Sequence, residues 1–290
     1  MEKNKYFRVG PVIKTVLKQL VIVVLIAIWL IPVYTMIING FKSNTAVVLS
    51  KALIPTLPLT LSAYQEAWGV LSGPLLNSLI LIVPVSLLST ILGAMGAYYL
   101  NGLTRNFDSK LRILGNIIFV LVALGTFIPY QATLMPLDIL MASINLLGTY
   151  GGLLLSYLIF YLPTGALLMS IFLAVVPSYL IEAAKLDGAS DFSIFFRVVL
   201  PVTLPGFIST LIFIFIESWN NFFLPLVLVT NPSSELISVG VRSFTGGFGT
   251  LYNASFAAAV LASLVPLVIF LFLGRYFIRG LLALGSGGKA

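Results

Sequence analysis

Apolar residues in this chain gather in runs of about 20 or more, long enough for a helix to cross a ~30 Å hydrocarbon core, and polar or Gly/Pro-containing segments divide one run from the next. A backbone in lipid has no water to bond to, so each run must satisfy its own amides, and an α-helix does this within the segment. Six spans can be bounded, at 20–38, 74–100, 113–135, 150–173, 203–227 and 254–273. The expected fold class is therefore all-α, a polytopic membrane protein with six transmembrane helices. Its domain plan is an N-terminal segment 1–19, a transmembrane domain 20–273 that includes a polar loop 174–202, and a tail 274–290. The first run exceeds a secretory signal core and no small-residue cleavage site follows, so it reads as an uncleaved span.

Only 9% of the 290 residues are charged and 59% are hydrophobic, where soluble domains carry about 25% charged residues. No separate water-soluble catalytic domain fits beside the spans. Cysteine and histidine are absent, which removes disulfides, thiolate metal sites and imidazole acid–base chemistry. The net charge of +7 does not point to nucleic acid, because the basic residues stand at span ends and not on one face.

Their placement reads as topology. With six spans and a cytoplasmic N-terminus, the inner segments hold Lys3, Lys5, Arg8, Lys14, Lys18, Arg105, Lys110, Arg112, Lys185, Arg197, Arg275, Arg279 and Lys289. The outer segments hold Lys42, Lys51 and Arg242. This asymmetry places both termini and the 174–202 loop in the cytoplasm. Locally, residues 61–68 suit a short surface helix, Pro74 suits a first helical turn, and Pro129 and Pro136 predict a kink or early end in the third span.

The 174–202 loop is the one structured polar island between spans. Pro177 and Ser178 open a short helix carrying Glu182, Ala183, Ala184, Leu186 and Asp187, and Gly188 can end it in a left-handed conformation. A second segment starts near Ser190 and Asp191, and Pro201 and Pro205 mark re-entry into the membrane. Helix, glycine turn and helix make a compact knob; an amphipathic connector resting at the interface is the plainer reading of the same residues.

The spacing Glu182-Ala183-Ala184, three residues, Gly188, nine residues, Val198, one residue, Leu200-Pro201 resembles the signature of permease subunits of binding-protein-dependent ABC importers, with Val198 where that family prefers isoleucine. LDGAS from Leu186, WNNF from Trp219 and PYQATLMPL from Pro129 are similar to the carbohydrate branch, which includes maltose permeases. The resemblance covers nearly the whole chain. It implies the type I importer permease fold in a bacterial inner or cytoplasmic membrane. It also implies a second permease subunit, two ATP-binding subunits that hold the ATP, an extracytoplasmic solute-binding protein and a sugar substrate. Glu182 to Gly188 would then be the coupling contact with the ATPase. This chain has no GxxxxGK[ST] loop, so it is expected to be a transport subunit without an ATPase site or cofactor of its own.

Glu217 lies near the middle of the fifth span, where an unpaired charge costs at least ~2.5 kcal/mol. Asn220 and Asn221 follow at helical spacing on its face, and Asn77 and Gln131 are further polar candidates for a translocation path, with Trp219, Tyr130 or Tyr98 available to cover a sugar's apolar face. The alternative is that these groups join helices or satisfy broken backbone. The family's usual Trp-Asn-Glu-Phe is Trp-Asn-Asn-Phe here, Asn221 standing in place of the acid. Gly246 and Gly247 lie in the glycine-rich outer loop 228–253, whose flexible tip can contact a delivered solute or its carrier; the resemblance implies contact with the solute-binding protein, and a solvent-facing loop without a partner is the plainer alternative. A secondary transporter without an ATPase is the rival reading; it would show inverted repeats, and the sequence displays none.

Overall fold

In the computed structural model residues 9–49, 52–106, 109–245 and 251–286 are described, with side chains described at 14–48, 52–100, 113–245 and 251–277. Among these residues all regular structure is helical. In chain order the α-helices are α1 (Val9–Gly40), α2 (Asn44–Leu49), α3 (Ser62–Asn106), α4 (Ser109–Gly125), α5 (Leu134–Ser143), α6 (Tyr150–Leu173), α7 (Ser178–Leu186), α8 (Asp191–Ile194), α9 (Leu200–Val202), α10 (Leu204–Trp219), α11 (Phe223–Leu228), α12 (Ile237–Gly240) and α13 (Tyr252–Ser286).

Four stretches are long and apolar enough to span without interruption: Lys14–Gly40, Ser62–Leu100, Tyr150–Leu173 and Tyr252–Phe277. Two bent pairs bring the total to six when each counts as one passage. Ile113–Gly125 meets Tyr130–Ser143 at 92°, and Asp191–Val202 meets Leu204–Trp219 at 85°.

Two local expectations change and one is met. Residues 61–68 are not a separate surface helix: α3 runs unbroken for 45 residues, and Pro74 lies inside it instead of in its first turn. The ring of Pro74 is covered by the backbone of Gly240, whose missing side chain permits the approach. The third span ends early, as Pro129 and Pro136 led one to expect, and turns a corner there. Gly125 ends α4, Thr126 Oγ1 donates back to Ala123 O at 2.7 Å, and Pro129, which has no amide hydrogen to continue the ladder, precedes a 3₁₀ turn at Tyr130–Thr133. The fifth span stops at Trp219 and restarts at Phe223.

By its internal contacts the chain forms two compact units. The first comprises residues 1–69 and 244–261. In it the fully buried Asn39 donates to Thr35 O and Ala52 O, Asn253 donates to Lys42 O at 3.0 Å, and Asn44 Oδ1 accepts the first amide of α13, from Tyr252, at 2.8 Å. Alanines at 63, 67, 254, 257 and 258 are fully or nearly fully buried. The Lys42 side chain is buried, its Nζ has no hydrogen-bond partner among the described residues, and desolvation lowers its pKa from 10.5. Among the described residues, the most apolar stretch of α1 buries nothing, leaving side chains such as Leu20 to Leu25 and Trp29 exposed.

The second unit comprises residues 70–243 and 262–290. Here α6 is central, with α4 and α10 packed along it and α11 against both α5 and α6. The crossing of α3 and α6 is a backbone contact: a Cβ added to Gly93 would lie 2.5 Å from Ala166 N, and one on Gly165 would lie 2.3 Å from Ser89 O. Small residues let helices approach this closely. The later part of α13 is tied to α10 through Ser209 Oγ to Tyr276 O and Trp219 Nε1 to Ala262 O, both at 3.1 Å.

Candidate functional site

The polar island folds as a helix–turn–helix knob. Pro177 precedes α7, and after Leu186 the chain reverses through Gly188 at φ +76°. Gly188 N donates to Lys185 O and Ala189 N to Ala184 O, each at 3.0 Å, so the last carbonyls of α7 are satisfied by the turn itself. Ser190 then caps the next segment, its Oγ accepting from Ser193 N. The ladder widens to a π segment at Phe195–Val199. Pro201 cannot donate to the carbonyl four residues back, and a π turn is one way a helix absorbs that loss.

The knob's inner face is held by a core of Ala94, Ala97, Met169, Phe172, Ile194 and Phe195 with their buried neighbours. Phe195 stands 5.6 Å from the Tyr98 ring and edge-on to Phe196 at 5.0 Å. Tyr98, one of the rings the sequence offers for sugar stacking, therefore belongs to the anchor of the knob. The outer face presents Leu186, 89% exposed, and Tyr179 and Phe192 at about two-thirds exposure. Glu182, Ala183, Asp187 and Gly188 are exposed as well, whereas Ala184 is half-buried against the core. The Lys185–Asp191 ion pair across the turn is 3.8 Å long and solvated, so it adds little. Exposed apolar side chains on a rigid, separately anchored projection suit contact with another macromolecule.

A second polar cluster surrounds the break after α10. Asn221 Oδ1 accepts from Leu224 N at 3.1 Å and so completes backbone that the break leaves open, whereas Asn220 Nδ2 donates at 3.0 Å to Ile216 O, a carbonyl that its own backbone N–H also reaches. Asn221 Nδ2 also donates to Tyr161 Oη at 3.2 Å. Tyr161 stacks on Tyr157 with centroids 5.9 Å apart, and Tyr130 meets Phe160 edge-on at 6.0 Å. Glu217 lies close enough to interact electrostatically with both Tyr130 and Tyr161, and Gln131 adjoins Tyr130. Glu217, Asn220 and Gln131 are exposed and Asn221 is buried. Trp219, by contrast, is buried against Phe215 with its indole N–H bonded, and offers no free face.

Asn77 is not in this cluster. Its Nδ2 donates to Ser233 O at 2.8 Å and Glu235 O at 3.0 Å, and its Oδ1 accepts from Tyr150 Oη at 2.6 Å. Tyr150 is eleven residues before Tyr161 (161 − 150), about three helical turns away. Gly246 and Gly247 lie outside the described residues. The tyrosines of α6 escape a reading that looks for charged and amide groups, yet their spacing carries a signal: 150, 157 and 161 recur at seven and four, one face of a helix.

Residues 89–282 match the family of binding-protein-dependent transport system inner membrane components. The chain belongs to that family. It is a multi-pass protein of the cell membrane and a transport subunit, not an enzyme. The permease is similar to the glucose import system permease protein GlcU of Saccharolobus solfataricus, with 53% identity over 282 residues that cover 97% of this chain and 98% of that one. It is 27% identical to the arabinooligosaccharides transport system permease protein AraQ of Bacillus subtilis, over 90% of this chain and 92% of that one. Among solved structures, one chain of a bacterial ABC transporter that imports the polysaccharide alginate superposes with a TM-score of 0.76 at 19% identity, covering 96% of this chain and 99% of that one. That likeness speaks for the importer permease fold.

Proposed function

We propose that this permease forms half of the translocation path of an ATP-driven sugar importer, with a monosaccharide such as glucose as its solute. The observation that carries the reading is the 53% identity along almost the full length to a glucose import permease. In this reading the knob, residues 174–202, docks on a separate ATP-binding subunit: Leu186 and the small Ala183 make close contact, Glu182 and Asp187 offer charge to basic groups, and Gly188 keeps the turn. The Lys and Arg asymmetry supports a cytoplasmic side for the knob, for residues 1–19 and for the tail 274–290. A second permease subunit completes the path, and an extracytoplasmic binding protein delivers the solute at the opposite end.

Glu217, Asn220 and Gln131 are proposed to face that path with Tyr130, while the buried Asn221 braces Tyr161 from behind. An exposed carboxylate deep in a span is not tolerated against lipid, where it costs at least ~2.5 kcal/mol, so this face is covered by the second permease or by water. Hydroxyl and amide groups beside aromatic rings suit a neutral polyhydroxylated solute, and Glu217 disfavours an anionic one.

The test is purification of the chain from its native membrane followed by reconstitution. ATP-binding subunits copurifying with it, and ATP-driven glucose uptake once the binding protein is added, are the expected results. Uptake without any ATP-binding subunit would favour a secondary transporter, and exclusive uptake of sugar phosphates would overturn the path assignment.

A further inference from the structure

The segment 229–240 has little structure of its own: a 3₁₀ turn at Pro232–Ser234, an extended Glu235 and the four-residue α12. Carbonyls of such a segment need partners from elsewhere, and α3 supplies them. Both amide hydrogens of Asn77 are used, on Ser233 O and Glu235 O, while Tyr150 at the start of α6 fixes the amide's orientation through Oδ1. One residue on, Ser78 Oγ accepts from Ile237 N at 2.8 Å. Gly240 rests on Leu71 and Pro74 of α3. At the neighbouring turn, Gly148 N donates to Leu228 O at 3.2 Å, and Gly148, at φ +73°, has no room for a Cβ beside Thr230 Oγ1. The clamped segment walls a shallow cavity of about 150 Å³ whose lining includes Thr230, Asn231, Glu235 and Arg242.

Tyr150 opens the 24-residue α6, and the knob begins just past its other end. At 1.5 Å per residue this separates clamp and knob by about 36 Å. We infer that Asn77, oriented by Tyr150 and seconded by Ser78, is a positioning residue that holds the 229–240 segment in the shape the solute-binding protein engages, and does not line the solute path. The inference rests on the reading that this end of the permease meets the binding protein.

The readout is ATP hydrolysis by the reconstituted importer, titrated with glucose-loaded solute-binding protein. Asn77→Ala raises the half-saturating concentration by about tenfold, the worth of one or two hydrogen bonds, and leaves the basal rate and the maximal stimulated rate unchanged. Asn77→Asp is worse than Ala despite its matching shape, because a carboxylate then faces two carbonyl oxygens without a donor. Tyr150→Phe gives a smaller shift that does not add to that of Asn77→Ala. Should Asn77→Ala fail to assemble, Tyr150→Phe and Ser78→Ala carry the same test with milder changes.

An unchanged half-saturation with a reduced maximal uptake would mark Asn77 as a path residue and overturn the inference. Glu235→Lys, Gly246→Trp and Gly247→Trp report on the underlying reading. If these shift half-saturation and the clamp variants do not, the clamp inference alone fails; if neither set shifts it, the reading that the binding protein meets this end fails, and the inference with it.

Discussion

Gly188 is required by its backbone and not by crowding: φ is +76°, yet an added Cβ would meet nothing within 4 Å. Gly188→Val therefore forces a β-branched residue into left-handed backbone at a cost of about 1–3 kcal/mol, whereas Asn tolerates that region. The expected outcome is a fully inserted Val variant with lost solute-stimulated ATP hydrolysis and an Asn variant that retains most of it. Lys42 presents the opposite case, a side chain whose surroundings oppose its charge. Its folded pKa is lowered from 10.5 by desolvation, so the unfolded chain binds the proton more tightly and stability at this position rises as pH climbs from the folded value toward the unfolded one. Below both values the cost of burying the charge is fully present. Lys42→Met should raise the thermal unfolding temperature in detergent near neutral pH, and that advantage should shrink as the pH approaches 10.5.

At the scale of elements, the knob owes its rigidity to its inner face. Phe195 is 3% exposed and in contact with both Tyr98 and Phe196. Phe195→Ala leaves a cavity worth about 3–5 kcal/mol, enough to loosen α7 and α8 while the spans stay inserted. Limited proteolysis should then cut between residues 174 and 202 in the variant faster than in the parent chain. Much of the knob was legible in the sequence, because a left-handed glycine, a serine cap and a proline act on their immediate neighbours. The corners at 92° and 85° were less legible. Pro129 signals a break but not its angle, which tertiary packing sets. The stretch from Glu217 to Phe222 carried two readings, and the structure shows Asn220 and Asn221 bonded to local backbone, which the sequence alone left as one alternative. Asn77 drew notice as a polar group in a span, but its partners lie 156 and 158 residues away in sequence, beyond any local pattern.

For the whole molecule, the six apolar passages and the family signature were readable because hydrocarbon thickness and signature spacing are both linear in sequence. How the passages pair was not, since it depends on contacts such as Gly93 with Gly165. One consequence concerns the chain apart from its partners. Glu217 is exposed within a span, and on the proposed reading the second permease helps to cover it, so a chain expressed alone carries a carboxylate that would cost at least ~2.5 kcal/mol against lipid. Glu217→Leu should increase the steady-state yield of the chain expressed by itself, measured by quantitative immunoblot of membranes. The same substitution should lower solute uptake several-fold in the full importer.

The crossing at Gly165 also fixes where α6 has no slack. It lies fifteen residues from Tyr150 and eight from Leu173 (165 − 150 and 173 − 165) along α6, roughly 22 and 12 Å along the axis. With backbone against backbone there is no side chain to compress, so a methyl group added at Gly93 or Gly165 has to part the two helices.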